Sequence, residues 1–500
     1  MSPSWVQLYH RLPARARSAA ATLRGWYLNR WRQSADSEQL VAAARQREHW
    51  TADQWRQWRE ERLAFVLHRA ATRVPFYRDH WQARRRRGDR ASWELLENWP
   101  LLEKDELRAE PRRFIADDCD PARMFCEQTS GTTGKPLDVW RSRATVTALH
   151  AIVAARTKRW DGIPAGVRWA RLGGQLVIPV RQRRPPFWVW NAAMRQLYLS
   201  SFHLAPDLIR HSLDALRRYR VVYLAGYPSS IYALAHEAVR LGRSDIRLTA
   251  VYTNAEPLQA EQRAVIVAAF NCPVRETYGM AETVAAASEC AAGRLHQWPE
   301  IGQIEVHDEG ELVCTGLLNS DMPLIRYRVG DRAPVEAPAD PCPCGRTLPA
   351  MPAIEGRTND VLVTTDGRQV FWLNPVMYGL PVRQSQIVQE RLDLVRVRIA
   401  PAVGFTRSTE RTIIARLRER LGDLRVIVER VAEVPRTANG KVRAVICDLS
   451  AEERAAALHN ARTTNTSNAG PVRGDRAADS PTGTGGATPP SGISSTPPPS

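Results

Sequence analysis

Hydrophobic positions in the first part of the chain recur at helical intervals. Leu63, Val66, Leu67 and Ala70 fall on one face of a 3.6-residue repeat. Thr51 and Gln54, just ahead of them, have the spacing of a capping box that opens a helix. Through the middle, short β-rich runs alternate with helical ones: Val221–Ala225, Ser230–Leu241, Leu248–Thr253 and Ala260–Phe270. That alternation predicts α/β units with parallel strands. Near Ile354–Asp360 the pattern changes. Val395–Ala400 then reads as a strand, Glu410–Leu421 as a helix and Leu424–Val431 as a strand, which suits a small α+β domain. From Thr463 onward the chain is mainly Thr, Ser, Gly, Pro and Asn and cannot bury enough apolar surface to fold, so a disordered tail is expected.

A length of 500 residues exceeds what one hydrophobic core usually holds. The patterns divide it into a basic amphipathic N-terminal segment (1–50), a large domain (51–357), a small C-terminal domain (358–458) and the tail (459–500).

Composition changes this picture in one respect. Hydrophobic residues at 44% and charged residues at 25% are ordinary for a globular protein, but the net charge is +17. Such a balance suits nucleic acid, an anionic membrane surface or anionic ligands, and equally a coding bias toward arginine. No helix-turn-helix or zinc-finger pattern accompanies it, so no nucleic-acid partner is expected. No acidic residue precedes Asp36, and Trp5, Leu8, Leu12, Leu23, Trp26, Tyr27 and Trp31 interleave with Arg11, Arg15, Arg17, Arg24, Arg30 and Arg32. A basic helix with aromatic anchors fits peripheral contact with an anionic membrane. The same pattern fits a helix packed on the main body with a solvated arginine face. Eight cysteines are too few for a disulfide scaffold, and Cys342-Pro-Cys344 looks more like a metal knuckle than a bridge. Without an apolar run long enough to span a bilayer or a secretory signal, a cytoplasmic location is expected, with membrane association as the N-terminal segment's option.

The strongest chemical signal is Thr129-Ser-Gly-Thr-Thr-Gly-Lys-Pro136. Gly131 and Gly134 let backbone approach an anion closely, and consecutive N–H groups can form an anion-binding nest. Ser130, Thr132 and Thr133 add hydroxyl donors and Lys135 a positive charge. The stretch is a phosphate cradle in chemical terms, though without the Walker spacing.

This octapeptide resembles the phosphate-loop signature of the adenylate-forming superfamily, which includes acyl-CoA synthetases, peptide-synthetase adenylation domains and luciferases. Further blocks resemble that family in the expected order. Tyr278-Gly279-Met-Ala-Glu282 resembles the aromatic-Gly-x-x-Glu block, which implies that Tyr278 stacks on adenine and Glu282 helps to hold Mg²⁺. Thr253–Leu258 sits where the family has a small-small-Glu turn beside adenine; Glu256 matches, while Asn254 and Ala255 replace the small pair. Arg326–Asp331 resembles the block whose aspartate binds the ribose hydroxyls, a task that suits Asp331 because a carboxylate accepts two hydrogen bonds. Gly356-Arg357 and Asp360 resemble the hinge block, with Arg357 reaching the nucleotide and Asp360 as pivot. Pro435–Lys441 resembles the block carrying the adenylation lysine, Lys441, which would neutralise charge on the reacting α-phosphate.

Val74–Tyr77, Leu101–Leu107, Gly226–Ser230 and Met322–Tyr327 resemble the phenylacetate–CoA ligase group, and within it the CapK-like capsule-biosynthesis branch. The resemblance spans roughly residues 50–450. It implies an α/β fold: a large N-terminal adenylate-forming domain with mixed and parallel sheets, plus a small mobile α+β C-terminal domain. It implies ATP-dependent activation of a carboxylic acid to acyl-AMP, then transfer to CoA or another thiol. The alternative is a peripheral component of capsule or exopolysaccharide biosynthesis with a different acceptor or a vestigial ATP site. The group often carries a structural zinc, here implied at Cys290, His296, Cys342 and Cys344, a donor set suited to tetrahedral Zn²⁺. Tyr227 and the Phe187–Trp190 run are candidates to line the acid pocket, with core packing the competing role.

Overall fold

The computed structural model describes residues 3–128, 137–307, 310–333, 341–351, 354, 362–370, 373–377, 380–432, 434–435, 444–450 and 452–457. The N-terminal segment forms α1 (Pro3–Arg11), α2 (Ala14–Arg32) and α3 (Ser37–Arg47) rather than one helix, with Pro13 at the break. Then come α4 (Ala52–Arg73), α5 (Pro75–Arg86) and α6 (Lys104–Ala109). The expected capping box opens α4: Gln54 N donates to Thr51 Oγ1 at 3.2 Å and Thr51 N to Gln54 Oε1 at 2.9 Å. Val66, Leu67 and Ala70 of its apolar stripe are buried in the first core, with Leu63 packed against it.

Strands β1 (Phe125–Gln128) and β2 (Asp138–Arg141) pair antiparallel, with Gln128 opposite Asp138. The expected phosphate loop lies between them, outside the described residues. After α7 (Arg143–Arg156) the α/β alternation begins: β3 (Trp169–Gly173), β4 (Trp188–Asn191), β5 (Gln196–Ser200), α8 (Pro206–Arg218), β6 (Tyr223–Gly226), α9 (Pro228–Arg240), β7 (Ala250–Thr253), α10 (Ala260–Phe270) and β8 (Val274–Gly279). As the sequence pattern predicts, β8, β7, β6, β3 and β5 are parallel neighbours. The pattern does not foretell how the sheet ends. β4 closes one edge antiparallel; β9 (Ala286–Glu289), β10 (Leu295–Gln297) and β14 (Ala350–Met351) extend the other antiparallel, making nine strands. Between these last two, β11 (Gly302–Val306), β12 (Glu311–Gly316) and β13 (Tyr327–Arg332) form a separate antiparallel sheet.

Helices α8–α10 cover one sheet face through Leu172, Leu199, Leu213, Leu224, Leu234, Val251 and Ile266. On the other face α2 lies on β4 so closely that a Cβ at Gly25 would stand 2.1 Å from Asn191 Oδ1. This docks the N-terminal segment on the body, while leaving Leu23 72% and Trp26 60% exposed.

The smaller C-terminal unit has the hairpin β15 (Leu362–Val363) and β16 (Gln369–Val370), then β17 (Val382–Arg391), β18 (Leu394–Pro401), α11 (Arg407–Leu421), β19 (Arg425–Arg430) and β20 (Val445–Cys447). Its four-stranded sheet runs β19-β18-β17-β20, and Ile413, Leu417 and Leu421 of α11 join Val395, Val397 and Ile399 in its core. Val180 and Phe202 of the large unit enter the same core. The expected boundary at 357/358 and the tail from 459 fall outside the described residues.

Candidate active site

In open α/β sheets ligands bind beyond the carboxyl ends of the strands. Tyr227 follows β6, Asn254–Glu256 follow β7, and Tyr278 with Gly279 ends β8. Chain segments far apart in sequence therefore meet along one edge.

Glu282 is the most enclosed of these groups. Lys104 Nζ lies 3.0 Å from its Oε1, and Tyr327 OH donates to the same oxygen at 3.2 Å. Burial alone would raise this carboxyl group's pKa, but the charge and hydrogen bond of Lys104, with the Tyr327 phenol, hold it below the usual range. Lys104 is brought there because Leu102 bridges to Tyr327 beside β13, with Leu102 N donating to Arg326 O at 2.9 Å. Tyr278 OH donates to Asp331 Oδ2 at 3.1 Å. Two phenol–carboxylate bonds thus tie the Tyr278–Glu282 block to the Arg326–Asp331 block.

Arg141, at the end of β2, is 2% exposed and joins the stem of the phosphate-loop segment to the same turn. It donates to Glu127 at 2.7 Å, to Thr283 Oγ1 at 2.9 Å and to Ala281 O. Thr283 sits in the left-handed region at φ 57°, a conformation the turn requires. Glu256 accepts from Ser229 N at 3.2 Å and from Ser229 Oγ at 2.5 Å, at the start of α9. Burial raises its pKa above the usual range despite those bonds. Asn254 Oδ1 is buried with no partner among the described residues. Gly279 is not sterically demanded, since a Cβ there would meet nothing closer than 3.7 Å.

Cys290, His296, Cys342 and Cys344 converge, with their ligand atoms all within 4.8 Å of one another. Cys290 Sγ is 3.6 Å from Cys342 Sγ, and Cys344 Sγ is 3.4 Å from His296 Nε2. A tetrahedral zinc site with thiolate and imidazole ligands has edges of about 3.5–3.8 Å. His296 Nδ1 bonds Leu348 O at 3.0 Å, which turns Nε2 toward the sulfurs. The knuckle is anchored by Arg346, whose Nε donates to Glu48 Oε2 at 3.0 Å and whose guanidinium lies 4.3 Å from the Trp160 ring.

Of the sequence-predicted site, Glu256, Tyr278, Gly279, Glu282 and Asp331 are described and lie along this edge. Ser130, Gly131, Thr132, Thr133, Gly134, Lys135, Arg357, Asp360 and Lys441 lie outside the described residues. Sequence reasoning missed Lys104 and Arg141 as site residues, although Lys104 stands inside the Leu101–Leu107 stretch. Of the candidate pocket lining, Phe187 is fully buried and stacks on His203, and Trp190 packs on Tyr219, so these are core groups.

The sequence model of the AMP-binding enzyme family matches residues 55–313, and that of the CapK C-terminal domain matches residues 362–448. Protein CapK of Staphylococcus aureus is 26% identical over 367 residues, which cover 69% of this chain and 79% of that protein. The phenylacetate-coenzyme A ligase of Thermus thermophilus is 26% identical over 447 residues, 77% of this chain and 95% of the ligase. Among solved structures, 2-hydroxyisobutyryl-CoA ligase with 2-HIB-AMP and CoA in its thioesterification state superposes with a TM-score of 0.51 at 20% identity, over 84% of this chain and 94% of that one, a likeness of fold. The chain therefore belongs to the AMP-binding enzyme family, in its phenylacetate–CoA ligase group and CapK-like branch, and is an AMP-forming ligase.

Proposed function

We propose that this site joins a carboxylic acid to AMP and then passes the acyl group to the thiol of CoA. The observation that carries the reading is the cross-linked set Lys104–Glu282–Tyr327 and Tyr278–Asp331, beside the β1–β2 stem of the phosphate-loop segment. A carboxylate oxygen attacks the α-phosphate of ATP, releasing pyrophosphate. Ser130–Lys135 hold the phosphates, Tyr278 stacks on adenine and Asp331 takes the ribose hydroxyls. The unpartnered Oδ1 of Asn254 suits the exocyclic amine of adenine. Lys104 and Tyr327 both bond Oε1 of Glu282, and Oε2 takes no side-chain partner among the described residues, which fits a carboxylate that also meets Mg²⁺. Lys441 neutralises developing charge on the reacting phosphate. Arg357 and Asp360 act at a hinge between a large domain ending near 357 and a small one beginning near 358, so that the thiol can enter as Lys441 leaves.

The Cys290/His296/Cys342/Cys344 set would hold a structural Zn²⁺, since it supplies four closed tetrahedral donors and no open position. Peripheral contact with an anionic membrane is a second reading, favoured by exposed Leu23, Trp26 and Tyr27 among arginines. Cosedimentation with phosphatidylglycerol vesicles tests it. Among the described residues no helix is long and apolar enough to cross a membrane.

The central test is pyrophosphate release from ATP and Mg²⁺ over a panel of acids, with and without CoA. Lys441→Ala should abolish release and retain ATP binding. If no acid supports AMP formation, the activity reading fails and a vestigial ATP site takes its place.

A further inference from the structure

The two faces of the nine-stranded sheet differ in a way that an α/β core does not require. Side chains alternate between faces along each strand. One set, including Ala170, Leu172, Leu197, Leu199 and Leu224, is apolar and packs with α8–α10. The other set places Arg171 on β3 directly opposite Tyr198 on β5 and Ala225 on β6. Ala21 of α2 packs against Tyr198 and Val189, so α2 covers this face. Gly173 makes room for the phenol, because a Cβ there would stand 2.3 Å from Tyr198 OH.

Arg32 links Arg171 to two further basic groups, His150 and Lys158. Thr147 Oγ1 donates to Trp31 O at 3.1 Å, which docks the end of α2 on α7 next to Arg32. Arg32, His150 and Lys158 are electrostatic neighbours, and Arg32 also feels Arg171. Lys158 Nζ lies 5.7 Å from the ring of Tyr223, on the same sheet face. Among the described residues no carboxylate lies within ion-pair distance of these four groups. Glu127, whose field reaches Arg32, is itself bound to Arg141 at 2.7 Å. Burial, then the charges of Arg32 and Lys158, push His150 down to about 3, and burial, then the charges of Arg159 and Arg32, push Lys158 down to about 8. Each of the four is half-buried.

Uncompensated positive charge in such a setting is costly unless a ligand supplies the partner. Tyr227 stands between this cluster and the nucleotide-side groups: its phenol feels Tyr198 and Arg171 as well as Glu256. The nucleotide-side groups Glu256, Tyr278 and Asp331 lie beyond Tyr227, at β7, β8 and β13. The basic cluster is therefore on the acid side of the reaction centre.

We propose that the acid activated by this enzyme carries a second anionic group, remote from the reacting carboxylate, which Arg32, Lys158 and Arg171 bind. The inference rests on the acid-activation reading and names the substrate class for it: dicarboxylic acids or acids bearing a phosphate.

The test compares acids with and without the second anionic group: succinate and its monoamide, phthalate and its monoamide, and 3-phosphoglycerate and glycerate. Pyrophosphate release and direct calorimetric binding are both measured on the full chain. The expected result is a kcat/KM at least tenfold higher for a dianionic member than for its monoanionic twin. Arg171→Gln and Lys158→Gln should raise the KM for that acid at least tenfold and leave the KM for ATP within twofold. Preference for the phosphate or the second carboxylate separates the two sources of charge. A dianionic acid that binds the wild type and not the variants, with no turnover of any acid, keeps the anion site at Arg32, Lys158 and Arg171 but overturns the activity reading and, with it, the substrate assignment. Turnover of a monoanionic acid as fast as its dianionic twin overturns the inference and leaves the activity intact. A rise in the KM for ATP alone, or no binding of any dianionic acid, also overturns it.

Discussion

Replacing Lys104 by methionine removes the charge that keeps Glu282 ionised inside the protein. The pair is 3.0 Å apart, with the lysine side chain 23% and the glutamate 7% exposed. At an effective dielectric near 20, the gross attraction at that distance is roughly 5 kcal/mol. Desolvation of both ions offsets part of it, and the lysine's partial exposure reduces it further, so loss of the lysine should cost about 2–3 kcal/mol. The sign of the pH effect follows from the depressed pKa of Glu282. A carboxyl group held below its ordinary value contributes stability above that value, near pH 4.5, and loses it as pH falls through the folded-state pKa. In Lys104→Met the burial effect stands alone, the carboxyl pKa rises, and ionisation becomes a cost at neutral pH. Urea denaturation at pH 7.5 and pH 4 should therefore show a large stability difference between wild type and variant at the higher pH and a small one at the lower. Lys104→Arg should keep most of the wild-type value. An equal deficit at both pH values would refute the reasoning, because it would assign the loss to packing of the lysine stem.

Arg141→Met cuts the link between the phosphate-loop stem and the Glu282 turn, and should lower acid-dependent pyrophosphate release at least tenfold at saturating ATP, with far-UV circular dichroism unchanged. Metal analysis of protein purified without added metal should find about one zinc per chain; Cys344→Ser should lose it, lower Tm and expose Cys290 and Cys342 to thiol reagents. Lys158→Met should raise the ligand-free Tm near pH 7, by relief of about 1–3 kcal/mol. The lysine's folded pKa, about 8 against 10.5, penalises the charged form, so the gain should be full below pH 8 and shrink as pH rises from 8 to 10.5.

Much of the site was legible because its chemistry is written in short local strings. Tyr278 and Glu282 belong to one short block at the end of β8, and Asp331 to another in β13, so their resemblance to the family's blocks marked them as candidates. The α/β alternation from Val221 to Phe270 was equally local, since each strand and helix declares its own period. The C-terminal strand–helix–strand order was read in the same way, with β18, α11 and β19 found within a few residues of the expected bounds. The N-terminal helices were read as one amphipathic segment because the pattern of aromatic and basic positions continues across Pro13, where the structure breaks them.

The sequence by itself determined the order of the blocks, the family they belong to and the donor types available for a metal. Only the tertiary structure decided who touches whom. Lys104 and Glu282 are 178 positions apart, and nothing in either segment announces the pair; it exists because Leu102 lies beside Tyr327. The same holds for the basic cluster around Arg32. In a chain of net charge +17, each arginine looks alike in sequence. Whether one is solvated, paired or left waiting for an anion depends on which strands are neighbours and which carboxylates fall within reach. Among the described residues Arg171 has no acid beside it, because sheet order sets Tyr198 and Ala225 there.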